Sequence, residues 1–161
     1  MEVEMKIKGL MIDPITNMPI IILRDTAGEA VLPIWVGIFE ANAIALELEK
    51  ISPPRPMTHD LLRDVITGLG ARIQRVAVTE LRENTFYALI HLSQDGRSLQ
   101  VDARPSDAIA LALRAKAPIF VEANVIEMAK SIDPTEDAKD TERLRKWLET
   151  LDETELGKQI H

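Results

Sequence analysis

Ala43-Ile44-Ala45-Leu46 returns 65 positions later as Ala108-Ile109-Ala110-Leu111. At the same offset Leu48 matches Leu113, Ile34 matches Leu99 and Val36 matches Val101. Ala, Ile and Leu are common in buried helices, so the tetrapeptide alone proves little. A strand and a helix that both keep one register across the turn between them argue for an internal duplication.

The pattern extends outward from each copy. In the first, Val3, Met5 and Ile7, then Leu10 and Ile12, alternate as a strand. Asp13-Pro14 through Asn17 reads as a turn. Pro19-Ile20-Ile21-Ile22-Leu23 is an unbroken apolar run, the signature of a strand covered on both faces. Asp25-Thr26-Ala27-Gly28 makes a hairpin loop, 31–36 a third strand, and Gly37 opens a helix. That helix has Ile38, Ala41, Ile44, Ala45 and Leu48 on one face.

The second copy restarts with strands at 73–81, 86–92 and 99–103, turning at Glu83-Asn84 and Asp95-Gly96. Pro105 opens its helix, with Ala108, Ile109, Ala112 and Leu113 facing inward, and Ile119-Phe120-Val121 is a short last strand. Between the copies, Ser52-Pro53-Pro54-Arg55-Pro56 breaks the first helix and Thr58 caps a new one. Its stripe is Leu61, Leu62, Val65 and Leu69, and Gly68 and Gly70 bracket its end. The expected fold is α+β: duplicated β-β-β-α units forming a mixed or antiparallel sheet, or a barrel-like core, with packed helices.

A length of 161 residues and an apolar fraction of 46% suit one domain with a real core. Aromatics are only 4%, so that core rests on Ile, Leu, Val, Ala and Met. With no cysteine, neither disulfides nor thiolate zinc sites contribute. No apolar run reaches the roughly 18 residues of a membrane span. The acidic, alternating start Met1-Glu2-Val3-Glu4 does not resemble a secretory signal. The expected location is the cytoplasm, with no membrane partner.

The net charge of −7 counts against a broad electrostatic grip on nucleic acid. Nine acidic and five basic residues fall in 131–161, however, so residues 1–130 carry only −3. The boundary is drawn there: a main domain at 1–130, then an acidic linker and an amphipathic helix bearing Leu144, Trp147, Leu148 and Leu151. That helix is expected to pack on its own domain.

Two segments carry the candidate chemistry, Arg55-Pro56-Met57-Thr58-His59-Asp60 and Asp102-Ala103-Arg104-Pro105-Ser106-Asp107. Each places Arg-Pro at the mouth of a helix, followed by a hydroxyl residue and an Asp. Helix capping alone accounts for Thr58, Asp60, Pro105, Ser106 and Asp107. It does not account for the arginines. A guanidinium beside free helix amides is a phosphate-binding arrangement. In one version Arg55 and Arg104 hold phosphate directly. In the other a divalent cation bridges carboxylates to phosphate, and Glu40, Asp102 and Asp107 are the ligands to test. His59 is the histidine placed for general acid–base work; His91 lies mid-strand and His161 is terminal. P-loop, Gly-x-Ser-x-Gly and His-Glu-x-x-His signatures are absent.

These stretches, with Leu32-Pro33-Ile34-Trp35-Val36-Gly37, Asn84-Thr85-Phe86-Tyr87-Ala88 and Pro118-Ile119-Phe120-Val121, resemble the bifunctional nuclease family over roughly residues 5–130. The resemblance implies nuclease activity on RNA and DNA and a homodimer. The motif positions it carries over are His59, Asp60, Asp102 and Asp107 as catalytic candidates. Arg55, Arg104, Thr58 and Ser106 are carried over as phosphate-binding candidates. The expected substrate is single-stranded or flexible nucleic acid. The competing expectation is a non-enzymatic dimeric module that binds a phosphorylated small molecule or a protein partner.

Overall fold

A computed structural model describes residues 1–130; the linker and amphipathic helix expected at 131–161 lie outside the described residues. The first unit is a meander of β1 (Glu2–Ile12), β2 (Pro19–Asp25) and β3 (Val31–Trp35), followed by α1 (Ile38–Leu48). The second is β4 (Arg72–Arg82), β5 (Thr85–Gln94) and β6 (Arg97–Ala103), followed by α3 (Pro105–Ala115). The linking helix α2 (Thr58–Gly68) stands between them, and β7 (Ile119–Glu122) and α4 (Ala123–Lys130) complete the described chain.

All seven strands join one mixed sheet in the order β3-β2-β1-β7-β4-β5-β6. The sheet stays open rather than closing into a barrel. Its order is that of two meanders, 3-2-1 and 4-5-6, laid back to back with β7 inserted at the seam. β7 runs antiparallel to β1 and parallel to β4, so β1 and β4 oppose each other, as a pseudo-twofold relation requires. The duplication thus appears in topology as well as in residue identity.

Local chemistry explains the elements. The switch of apolar phase between Ile7 and Leu10 is a β-bulge, where the register on β2 slips between Ile7 and Gly9. The β4–β5 turn holds Glu83 and Asn84 at φ 52° and 60°, and the β5–β6 turn holds Asp95 and Gly96 at 51° and 79°. Two consecutive positive φ values give the turn whose twist matches the flanking strands. Pro19 to Leu23 is fully buried, as the unbroken run requires. Asp13 is buried at the β1–β2 turn, accepting bonds from the Ile15 amide, Thr16 Oγ1 and, at 2.7 Å, the indole N–H of Trp35. Burial pushes the Asp13 carboxyl up, but these donors outweigh it and hold it below the ordinary range.

The core joins β1 to β5 and β7 to α1, α3 and α4. Helix α3 is the central one, with eight buried residues, and both α1 and α2 pack on it. Two apolar faces are left uncovered by the described residues. Ile38 and Leu48 are exposed, because α1 buries only Ala41, Ala43, Ile44 and Ala45 against its neighbours. The α2 stripe Leu61, Leu62, Val65 and Leu69 faces outward, and α2 contributes no buried residue at all. Apolar periodicity shows that a helix has an apolar face, not that its own domain covers it. Helix α4, unannounced by the sequence, seats Val125 and Ile126 in the core.

Candidate active site

Helix α3 starts where β6 ends, and α1 starts where β3 ends, so the duplication brings two helix N-termini to related places. α2 then adds its own N-terminus alongside. Four of the singled-out side chains meet there in one chain of polar contacts. His59 Nε2 lies 2.9 Å from Asp107 Oδ1. Arg104 donates through Nε to Asp107 Oδ2 at 2.8 Å and through Nη2 to Glu40 Oε1 at 2.7 Å. The chain therefore runs His59–Asp107–Arg104–Glu40 and ties α2, α3 and α1 together. Gly37 is part of the design: a Cβ there would collide with the Glu40 carboxylate that Arg104 holds.

Burial raises the Asp107 carboxyl, but hydrogen bonds from Arg104 and then His59 overcome this and hold it below the ordinary carboxylate range. Asp107 is therefore ionised at neutral pH and favours the tautomer with the proton on His59 Nε2. That leaves Nδ1 of the neutral ring as the proton acceptor. The Arg104 guanidinium is held even more firmly in its charged form, first by the hydrogen bonds to Asp107 and Glu40. Its side chain is still 66% exposed, and Nη1 makes no hydrogen bond among the described residues.

The remaining positions separate. Asp60 does not join the cluster. Its Oδ2 accepts the Met57 backbone N–H at 2.9 Å, and its Oδ1 accepts from Arg114 Nε at 2.6 Å. Burial raises this carboxyl too, but the Met57 amide and then Arg114 bring it below the ordinary range. Thr58 is the first residue of α2 and not its cap, since Met57 holds that position. Ser106 is likewise inside α3, whose N-cap is Arg104, with Pro105 at the first helical position and no side-chain cap. Arg55 is exposed and enters no ion pair among the described residues. Asp102 sits exposed on β6, outside the cluster.

The carboxylates do not gather as metal ligands. Arg104 itself bridges Glu40 and Asp107, and no group of three His, Asp or Glu among the described residues forms a metal-binding set. No step is therefore routed through a cation.

Arg104 and Ser106 also line a groove of about 1120 Å³ between the β2–β3 meander and α4. Trp35, Phe86 and Ile126 contribute apolar walls. Ser106 is 6% exposed, and its hydroxyl makes no hydrogen bond among the described residues. Neither His59 nor Asp107 lines this groove; Arg104 links it to them.

The residue the sequence did not single out is Arg114. Its side chain is 1% exposed. Besides Asp60 it donates through Nη1 to Ala110 O at 2.9 Å and through Nη2 to Ala43 O at 3.0 Å. One guanidinium thus clasps α2, α3 and α1. A single charge inside the apolar run Ala108 to Ala115 was the available signal.

The family profile described as "Bifunctional nuclease domain" matches residues 21–133. The chain belongs to this family. An uncharacterized protein of Mycobacterium tuberculosis is 44% identical over 133 residues, covering 83% of this chain and 79% of the relative. Bifunctional nuclease 1 of Oryza sativa subsp. indica is 27% identical over 112 residues, which are 68% of this chain but 34% of the plant protein. Bifunctional nuclease 1 of Arabidopsis thaliana is 29% identical over 107 residues, 64% of this chain and 33% of that protein. Against the plant bifunctional nucleases, then, this family member spans about a third of their length.

Replacing Arg114 strands the Asp60 carboxylate and two backbone carbonyls. Arg114→Ala is expected to destabilise the fold by about 3 kcal/mol, the scale for breaking a buried pair from one side. Urea denaturation measures it, and a loss below about 1 kcal/mol would show that α2 is held by something else.

Proposed function

We propose that this chain is a cytoplasmic phosphodiesterase that cleaves single-stranded or flexible RNA and DNA. The observation that carries the reading is the 2.9 Å contact of His59 Nε2 with Asp107, whose other oxygen is fixed by Arg104. A carboxylate that orients one ring nitrogen leaves the other free to move a proton. His59 Nδ1 takes a proton from the attacking water. The water oxygen bonds to phosphorus, the P–O bond to the leaving sugar oxygen breaks, and that oxygen regains a proton. The exposed edge of Arg104 and the Ser106 hydroxyl meet the phosphate oxygens. Membership of the nuclease family supports the reaction class. The described residues include no helix long and apolar enough to cross a membrane.

We further propose that the active form is a homodimer. Phe39 is 87% exposed on α1, and Leu61, Val65 and Leu69 are exposed along α2, on two helices that pack on the same α3. Apolar side chains concentrated in this way mark a surface that another protein covers.

A second reading draws on the groove. Its volume and apolar walls, with Arg104 and Ser106 at one end, suit a phosphorylated small molecule bound without turnover.

Labelled RNA and single-stranded DNA, incubated with purified protein with and without a chelator, test the first reading. His59→Ala is expected to lower the rate about a hundredfold or more, and Arg104→Ala at least as much. Variants that cleave as fast as wild type would place the activity elsewhere or in a contaminant. The second reading expects nucleotides or sugar phosphates to raise the melting temperature of wild type and not of Arg104→Ala; no stabilising anion would sink it. For the dimer, light scattering should give twice the 18.0 kDa chain mass, falling to one chain in Val65→Asp. A monomeric wild type would refute it.

A further inference from the structure

A second cavity opens at the opposite end of α3 from Arg104. It holds about 610 Å³ and is lined by Arg63 and Thr67 of α2, Arg72 and Gln74 of β4, and Arg114 and Lys116 at the end of α3. Four of its lining side chains are cationic, and among the described residues none is acidic. Two of the charges are already answered. Arg114 is paired with Asp60, and Arg63 with Asp64. Arg72 and Lys116 are exposed and have no partner among the described residues. The cavity therefore keeps two free positive charges on a chain whose net charge is −7.

Cations near helix carboxyl ends often serve only to answer the helix dipole. Here the helix ends are closed by backbone instead. The Gly70 and Ala71 amides bond to Thr67 O and Ile66 O at the end of α2, with Gly70 at φ +83°. Lys116 takes the left-handed conformation at φ 56°, and the Ala117 amide closes onto Ala112 O at 2.9 Å. Lys116 caps α3 through its backbone alone, so neither its ammonium nor the Arg72 guanidinium is bonded to a helix-end carbonyl. Both side chains, with Gln74, line one open concavity; the Thr67 hydroxyl beside them is donated to Arg63 O and Asp64 O within α2.

We infer that this cavity is a phosphate-binding site, separate from the His59–Arg104 cluster. Its ligand is a tetrahedral oxyanion bearing a formal negative charge, either a free phosphate or one phosphodiester of a nucleic-acid strand. The eleven residues of α3 place the two sites about 16 Å apart. A strand of several nucleotides can therefore be held at one end while its backbone lies at His59. That strand-holding role rests on the proposed nuclease reading; the phosphate site itself does not.

The test uses the full chain. Inorganic phosphate is titrated while amide resonances are followed, and a decathymidylate is then bound across a salt series in the presence of chelator. Phosphate is expected to shift the amides of Arg72 and Lys116. The double variant Arg72→Gln/Lys116→Gln, which alters two exposed unpaired side chains, should lose those shifts while keeping the wild-type circular dichroism. For the oligonucleotide, the variant should bind roughly tenfold more weakly. Its slope of log affinity against log salt should be shallower by roughly 1.4, the value for two lost phosphate contacts on a single strand. Shifts with phosphate alone, and an unchanged salt slope, would assign the site to a free phosphate and remove it from the strand path. No phosphate shifts at Arg72 and Lys116, or shifts that persist in the variant, would overturn the site whether or not the protein is a nuclease.

Discussion

The Arg114 guanidinium is the constraint on which the candidate active site depends. It is buried, it is always charged, and each of its bonded nitrogens goes to a different helix: Asp60 on α2, Ala43 O on α1 and Ala110 O on α3 itself. Helix α2 has no fully buried residue; Ile66 packs partly buried against the core, and the Arg114–Asp60 pair adds a polar tie to α3. Asp60 adjoins His59 in sequence, so the clasp at Asp60 fixes the backbone from which the imidazole reaches Asp107.

The cluster beyond it has an unusual charge count. With neutral His59, one arginine faces two carboxylates, so Glu40, Arg104 and Asp107 sum to −1. That arrangement orients groups well and attracts an anion poorly. The cationic cavity beyond the other end of α3 has the opposite character, with charge to spare and no acid–base group. The two places thus differ in character, one rich in orienting contacts and the other in unanswered positive charge.

Much of this was legible in the sequence. The offset of 65 between Ala43 and Ala108 reported two meanders and two helices, and the buried positions of α1 and α3 repeat at it. The Asp95-Gly96 turn read directly as a hairpin because few residues tolerate positive φ, whereas Glu83-Asn84 read only as a turn, its Glu taking a positive φ that residue type does not announce. Two kinds of statement were out of reach. Periodicity marked the α2 stripe but could not say that it points away from the core. Residue type suggested that Thr58 and Ser106 cap, yet Met57 and Arg104 hold those positions and both hydroxyls fall inside the helices. The equivalence of Ile34 with Leu99 was similarly partial: Ile34 is 2% exposed, whereas Leu99, on the open edge strand, is 45% exposed. Sequence symmetry survives where burial symmetry does not, because only one of the two outer strands is covered.

The inserted strand β7 has a consequence for how the chain reaches this fold. Four of the six strand pairs join strands consecutive in the chain, and β4–β7 is reached after β5, β6 and α3. The β1–β7 ladder alone ties Glu2 to Glu122. Loop-closure entropy falls most heavily on that pairing, and order gained locally in the meanders lowers it only by shortening the flexible chain between the two strands. The two copies can thus acquire their hairpins independently, while a four-residue strand determines when they become one sheet.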